Sequence, residues 1–196
     1  MAENDSELVR RTLEGDSKAF DELVKRYVKL VHGVIFEAVR RSEEVDDLSQ
    51  DVFCKAYLEL TKLRKHSRFA PWLARMASNV STDWLRGHQV RRRPQLKGVV
   101  REGVLDAMLP VTGREKTPEQ KLVEKEEREA LMEALDRVRP EYRRVLILFH
   151  IEGCSYEQIC SFLGLSFATV KMRLYKGKKL LRAEFEAMRS EYGGAE

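Results

Sequence analysis

Between Ser155 and Leu181 the chain reads SYEQICSFLGLSFATVKMRLYKGKKLL, and no other stretch limits the possible folds as much. Ser155 and Gln158 have capping-box spacing, which predicts a helix starting there and running to Leu163. Gly164 supplies a tight turn, and Ser166 can cap a second helix carrying Thr169, Val170, Leu174 and Leu181. Two short helices about a glycine turn make a helix-turn-helix, whose second helix lies in the major groove of DNA. From Lys171 to Arg182 that helix holds six basic residues and no acidic one. Ile159, Leu163, Val170 and Leu174 are the expected glue between the helices, with Cys160 where they come closest. Lys171, Met172, Tyr175 and Lys176 are then left facing outward. Lysine reaches a guanine edge or a phosphate, while Met172 and Tyr175 offer apolar contact to a thymine methyl. The segment predicts DNA binding.

Charge is distributed as two basic blocks. Residues 60–101 carry eleven Lys and Arg against one Asp, and residues 137–182 carry ten against three acidic groups. The stretch between them is acidic, so two separate contacts with a polyanion are expected. Cys54, Cys154 and Cys160 form no CxxC pair, and the four histidines are scattered. No metal site and no cofactor are expected from such spacing, and the thiols read as reduced packing residues. No apolar run approaches the ~18 residues of a membrane span or a secretory leader, which predicts a cytoplasmic chain.

Between the breaks, apolar residues recur at helical period and no strand pattern occurs, so the fold class is all-α. A short helix over residues 5–14 ends at Gly15, and Asp16 or Ser17 caps a second with Phe20, Leu23, Tyr27, Leu30, Val31, Val34 and Ile35 in its stripe. Ser42 begins a third, and Pro71 sits in the first turn of a fourth with Leu73, Met76, Ala77, Val80 and Trp84. These define a first domain of residues 1–90. Residues 91–116, with several Gly and Pro, read as a flexible linker. Thr117-Pro118-Glu119-Gln120 restarts a helix, Pro140 opens another ending at Gly153, and the helix-turn-helix closes a second domain of residues 117–190.

In this order the motifs resemble those of bacterial extracytoplasmic-function (ECF) sigma factors of the sigma-70 family, the compact kind with only regions two and four. GDSKAFDELVKRY is similar to the opening of region two, and DDLSQDVFCKAYLEL to its polymerase-binding helix. FAPWLARMASNVSTDWLR resembles the helix that opens and reads the promoter, and LDRVRPEYRRVLILFHIEGCSYEQICSFLGLSFATVKMRLYKGKKLL resembles region four nearly end to end. The resemblance implies a transcription initiation factor, not an enzyme, that binds core RNA polymerase and directs it to promoters. Its partners would be the polymerase β′ clamp coiled coil and β flap, promoter DNA, and an anti-sigma factor of the kind that restrains most relatives.

Residue roles follow from the matched motifs. Asp46, Asp47, Gln50 and Asp51, with Val52 and Phe53 as apolar anchors, would dock on the clamp coiled coil. Arg64, Lys65, His66, Arg68 and Phe69 would cradle a base extruded from the minus-ten strand, where the pocket must offset a few kcal/mol of unstacking. Arg75, Asn79, Asp83 and Arg86 share one helical face beside it, and Asn79 can pair bidentately with adenine. Trp72 and Trp84 alternate with the apolar stripe and read as core. Arg91, Arg92 and Arg93 read as phosphate contacts. In region four, Arg143 and Arg144 would touch phosphates, and Lys171, Met172, Tyr175 and Lys176 would read the minus-thirty-five element. Ala168, where glycine is common, and Met172, where a small polar residue is usual, depart from the family pattern and bear on which sequence is read. A LuxR-type regulator binding operators as a dimer would share the helix-turn-helix but leaves the DDLSQD helix unexplained. An all-helical isoprenoid synthase using Asp46, Asp47 and Asp51 for magnesium would need a second carboxylate-rich motif across a cavity.

Overall fold

The structure, a computed structural model, describes residues 4–87 and 129–193. Asn4 accepts a hydrogen bond from the Ser6 amide at 2.8 Å and starts α1 (Asp5–Leu13). Gly15, at φ 98°, turns the chain, and Asp16 caps α2 (Ser17–Val39) through the Lys18 amide at 3.0 Å. The third helix begins as the expected Ser42 turn, a 3-10 segment Ser42–Glu44, and continues as α3 (Val45–Glu59). Short 3-10 segments Leu60–Lys62 and His66–Arg68 then carry the chain into α4 (Phe69–Gly87), with Pro71 in its first turn where its missing N–H costs nothing. Leu23, Ile35, Val52, Ala56, Leu60, Phe69, Leu73 and Ala77 are all at most 1% exposed and form the centre of this group.

The second group starts with α5 (residues 129–137). Pro140 opens α6 (Pro140–Leu146), which runs on as a π-helical turn, Ile147–Ile151, before Gly153 breaks it at φ 67°. α7 (Tyr156–Leu163) and α8 (Phe167–Gly193) complete it. Gly177 lets α8 lie directly on α6, since a Cβ there would meet Leu146 at 3.1 Å. Among the described residues there is no β-strand, and the chain is all-α with its helices in two groups. The expected linker over residues 91–116, the Arg91–Arg93 run within it and the expected helix start at Thr117 lie outside the described residues.

The two groups touch. From Leu30 to Val39 nearly every residue of α2 is buried, and a helix buried on all sides must be covered on all sides. α1, α3 and α4 cover three flanks, and α6 with its π turn covers the fourth. α7 packs on α4, and the Tyr27 ring stacks on Phe162 at 6.0 Å. The sequence predicts two helical groups joined by a linker, which leaves their relative orientation open, and the described residues do fall into two such groups. The contact arises from residues whose periodicity marks them as interior without saying which neighbour covers them.

Candidate nucleic-acid interface

The helix-turn-helix is built by local hydrogen bonds. Ser155 Oγ accepts from the Gln158 amide at 3.2 Å, and Gln158 Oε1 accepts from the Ser155 amide at 2.8 Å, so both halves of the capping box are formed. Gly164 takes the left-handed conformation at φ 66°, and the Leu165 amide returns to the Cys160 carbonyl at 3.0 Å. Ser166 Oγ then caps α8 through the Thr169 amide at 3.2 Å. Ile159, Val170 and Leu174 are buried between the helices as expected. Leu163, expected beside them, is only partly buried, whereas Phe162 is fully buried. The Phe162 side chain points at α2 and α4, a neighbour that the two-helix pattern does not contain.

With that core fixed, Lys171, Met172, Tyr175 and Lys176 all face solvent on one side of α8. Tyr175 is 74% exposed and Met172 40%. Phe167, not singled out by the sequence, joins this end of the helix at 53% exposure, its ring 5.2 Å from Tyr156. Its position at the first turn reads as ordinary helix entry, so only the structure reveals an exposed aromatic there.

Arg143 and Arg144 are placed differently. Both guanidiniums bind Glu37 of α2, each through its Nη2 at 2.9 Å and its Nε at 3.2 Å. The Glu37 side chain is 4% exposed. In this conformation the two arginines face the N-terminal group, although Arg144 also lines a cleft beside Arg173 of α8. Nearby, burial and the Arg143 charge push Arg40 down to about 10, still a cation at neutral pH, and it pairs with Asp136.

On the second basic surface, Arg64, Lys65 and Arg68 are exposed and His66 is partly so. Arg75, Asn79, Asp83 and Arg86 are exposed at helical spacing on α4, with Arg86 and Asp83 paired at 3.5 Å. Phe69 does not belong with them. It is 0% exposed, packed against Tyr27 and Trp72, because the first residue of α4 turns into the core. Trp72 and Trp84 are partly buried against the core, as read, with Arg41 stacked 5.8 Å over Trp84.

On α3 the acidic residues Asp46, Asp47 and Asp51, with Gln50, are exposed. Val52, 0% exposed, and Phe53, 7% exposed, point the other way into the core and cannot serve as outward anchors. The reason is phase: the buried stripe Val45, Leu48, Val52 and Ala56 places Asp47, Asp51, Cys54 and Leu58 together on the opposite side. Leu58 is 78% exposed and Tyr57 49%, the latter edge-on to Phe20 at 5.0 Å. The apolar contribution to this surface is therefore Leu58 and Tyr57, just beyond the residues the sequence suggested.

No group of three or more His, Cys, Asp or Glu side chains among the described residues could hold a metal ion, Asp46, Asp47 and Asp51 included. No helix among them is long and apolar enough to cross a membrane. Burial pushes the Cys154 thiol up to about 11, which makes it a packing residue and not a reactive one.

These three surfaces sit on two segments with recognisable counterparts. Residues 23–91 match the model for sigma-70 region 2, and residues 128–181 match that for sigma-70 region 4. The chain is 30% identical over 186 residues to the RNA polymerase sigma-H factor of Pseudomonas aeruginosa, covering 91% of this chain and 92% of that one. It is 28% identical over 191 residues to the ECF RNA polymerase sigma-E factor of Haemophilus influenzae, covering 96% of this chain and 100% of the other. Among solved structures, CnrH in complex with the cytosolic domain of CnrY has a similar fold, with TM-score 0.57 and 24% identity over 93% of this chain and 97% of that one. The arrangement of region 2 before region 4 and the likeness along nearly the whole length lead to one conclusion: the chain belongs to the ECF group of the sigma-70 family of RNA polymerase sigma factors.

Proposed function

We propose that this sigma factor divides its work among the three surfaces described, in a transcription initiation role with no catalysis of its own and in the cytoplasm. The outward stripe of α3, with Asp47 and Asp51 leading to Leu58, docks on the β′ clamp coiled coil. Carboxylates steer the encounter and fix register, while a central apolar side chain supplies much of the binding energy. The basic 64–68 segment and the Arg75–Asn79–Asp83–Arg86 face hold the melted minus-ten strand. The exposed start of α8 reads the minus-thirty-five element, with the β flap holding that domain in place. An anti-sigma partner covering the α3 surface would be the simplest external control.

The observation that carries this reading is the outward set Lys171, Met172, Tyr175 and Lys176 on a helix whose cap, turn and core are all formed. An operator-binding dimer would need the same helix but gives no use to the α3 stripe. The test is reconstitution with purified core polymerase. The protein should form a stable complex with core and start transcripts at defined sites, and Asp47→Lys should abolish complex formation while leaving binding of the free protein to duplex DNA intact. Normal complex formation by that variant would remove the docking assignment.

A further inference from the structure

Gly33 and Glu37 lie at i and i+4 on one face of α2, Arg40 follows as the C-cap of that helix, and each of the three meets the C-terminal group. A Cβ on Gly33 would fall 2.5 Å from Leu148 Cδ2, so the glycine forms a notch that admits the π turn. Glycine inside a helix is less favourable than alanine, which argues for a packing reason at this position. Glu37 places one oxygen on Arg143 and the other on Arg144. Arg40, in the left-handed region at φ 61°, turns its side chain, 7% exposed, onto Asp136. A carboxylate so deeply buried is tolerable only when fully paired, and every one of these pairs crosses between the two groups.

The way Glu37 is held has a chemical meaning. Two arginine forks converge on one anion, the same arrangement by which guanidiniums grip a phosphate. The two groups are also in direct contact, whereas promoter elements roughly twenty-five base pairs apart lie about 85 Å from each other. One conformation cannot satisfy both conditions.

We propose that Glu37 is an internal stand-in for a DNA phosphate, occupying the Arg143–Arg144 anion site and, with Gly33 and Arg40, clasping the free sigma factor shut. DNA phosphate and Glu37 compete for the same two guanidiniums, so opening and promoter contact are one exchange. The proposal rests on the sigma-factor reading, because two-element promoter contact is what demands opening.

The test uses the full chain and two variants, Glu37→Gln and Gly33→Leu, with helicity checked by circular dichroism. Small-angle scattering of the free protein should show a compact wild type and a larger radius of gyration for both variants. Binding to a short mixed-sequence DNA duplex should tighten severalfold in both, because the two guanidiniums no longer have to be withdrawn from Glu37 first. Gly33→Leu changes no charge, so a gain confined to Glu37→Gln would reflect only a lost negative charge and would overturn the clasp. Unchanged scattering in both variants would overturn it as well. So would loss of helix in Glu37→Gln, which would mean that the carboxylate serves the N-terminal fold. Binding of wild type to core polymerase is measured separately. Its absence would remove the functional reading while leaving the scattering result to decide the clasp.

Discussion

The helix-turn-helix and α3 both present an exposed face opposite a buried stripe, and we propose a macromolecular partner for each, yet the two are specified in different ways. At the helix-turn-helix, a capping box, a left-handed glycine and a second serine cap set the phase of α8 within a few residues of sequence. At α3 no side chain caps the first turn, and the helix enters and leaves through 3-10 segments. Its phase is set by where Val52, Phe53 and Ala56 find room against α2 and α4. Surfaces fixed by local bonding can be read from a line of letters, and surfaces fixed by tertiary packing need the neighbours.

The sharpest way to break this contrast is Phe53→Ala. As a core residue its loss should destabilise the fold by about 3–5 kcal/mol, measured by urea unfolding. If it left stability unchanged and only weakened polymerase binding, α3 would be phased as the sequence first suggested. Leu58→Asp is the converse. The unfolding midpoint should stay within experimental scatter, while core polymerase affinity falls by on the order of thirtyfold or more, as for a hot-spot anchor. On the other helix pair, Lys176→Ala should weaken binding to the cognate promoter by about 1–3 kcal/mol if it reads a base, or lower the salt slope by about 1 if it meets a phosphate. Core binding should be unaffected in either case. Ser155→Ala should have the smallest effect, about 1 kcal/mol of stability, since one cap is lost and the glycine turn remains.

His150 adds a pH arm. Burial and the Lys178 charge push it down to about 4 from an ordinary value of 6.5, so the folded state prefers it neutral. Its contribution is present above pH 6.5 and is lost as pH falls towards 4, because the unfolded chain takes up the proton first. His150→Phe should flatten the decline of the urea midpoint across that window relative to wild type.

Much of the architecture was legible because its punctuation is chemical. Gly15, Pro71, Pro140, Gly153 and Gly164 mark turns and helix starts in the structure as they do in the sequence. The outward face of α8 followed from the same signals. Phe69 and Phe162 were less tractable, since an aromatic beside a helix start or at a helix end fits either a DNA-facing or a core position. Arg143 and Arg144 were read by charge alone, and charge does not say whether the nearest anion is a nucleic acid or a glutamate over a hundred residues earlier. Glu37 itself carried no signal at all, being one acidic residue in an apolar run.

α8 has a mechanical consequence. It runs unbroken from Phe167 to Gly193, with Lys171 and Met172 near one end and Phe185 and Met188 sunk in the domain floor towards the other. At 1.5 Å per residue, roughly 24 Å of rigid rod separates Met172 from Met188. A stiff lever of this kind transmits any tilt at its seated end to its tip. Repacking around Met188 would therefore shift how the groove is addressed without touching a single base.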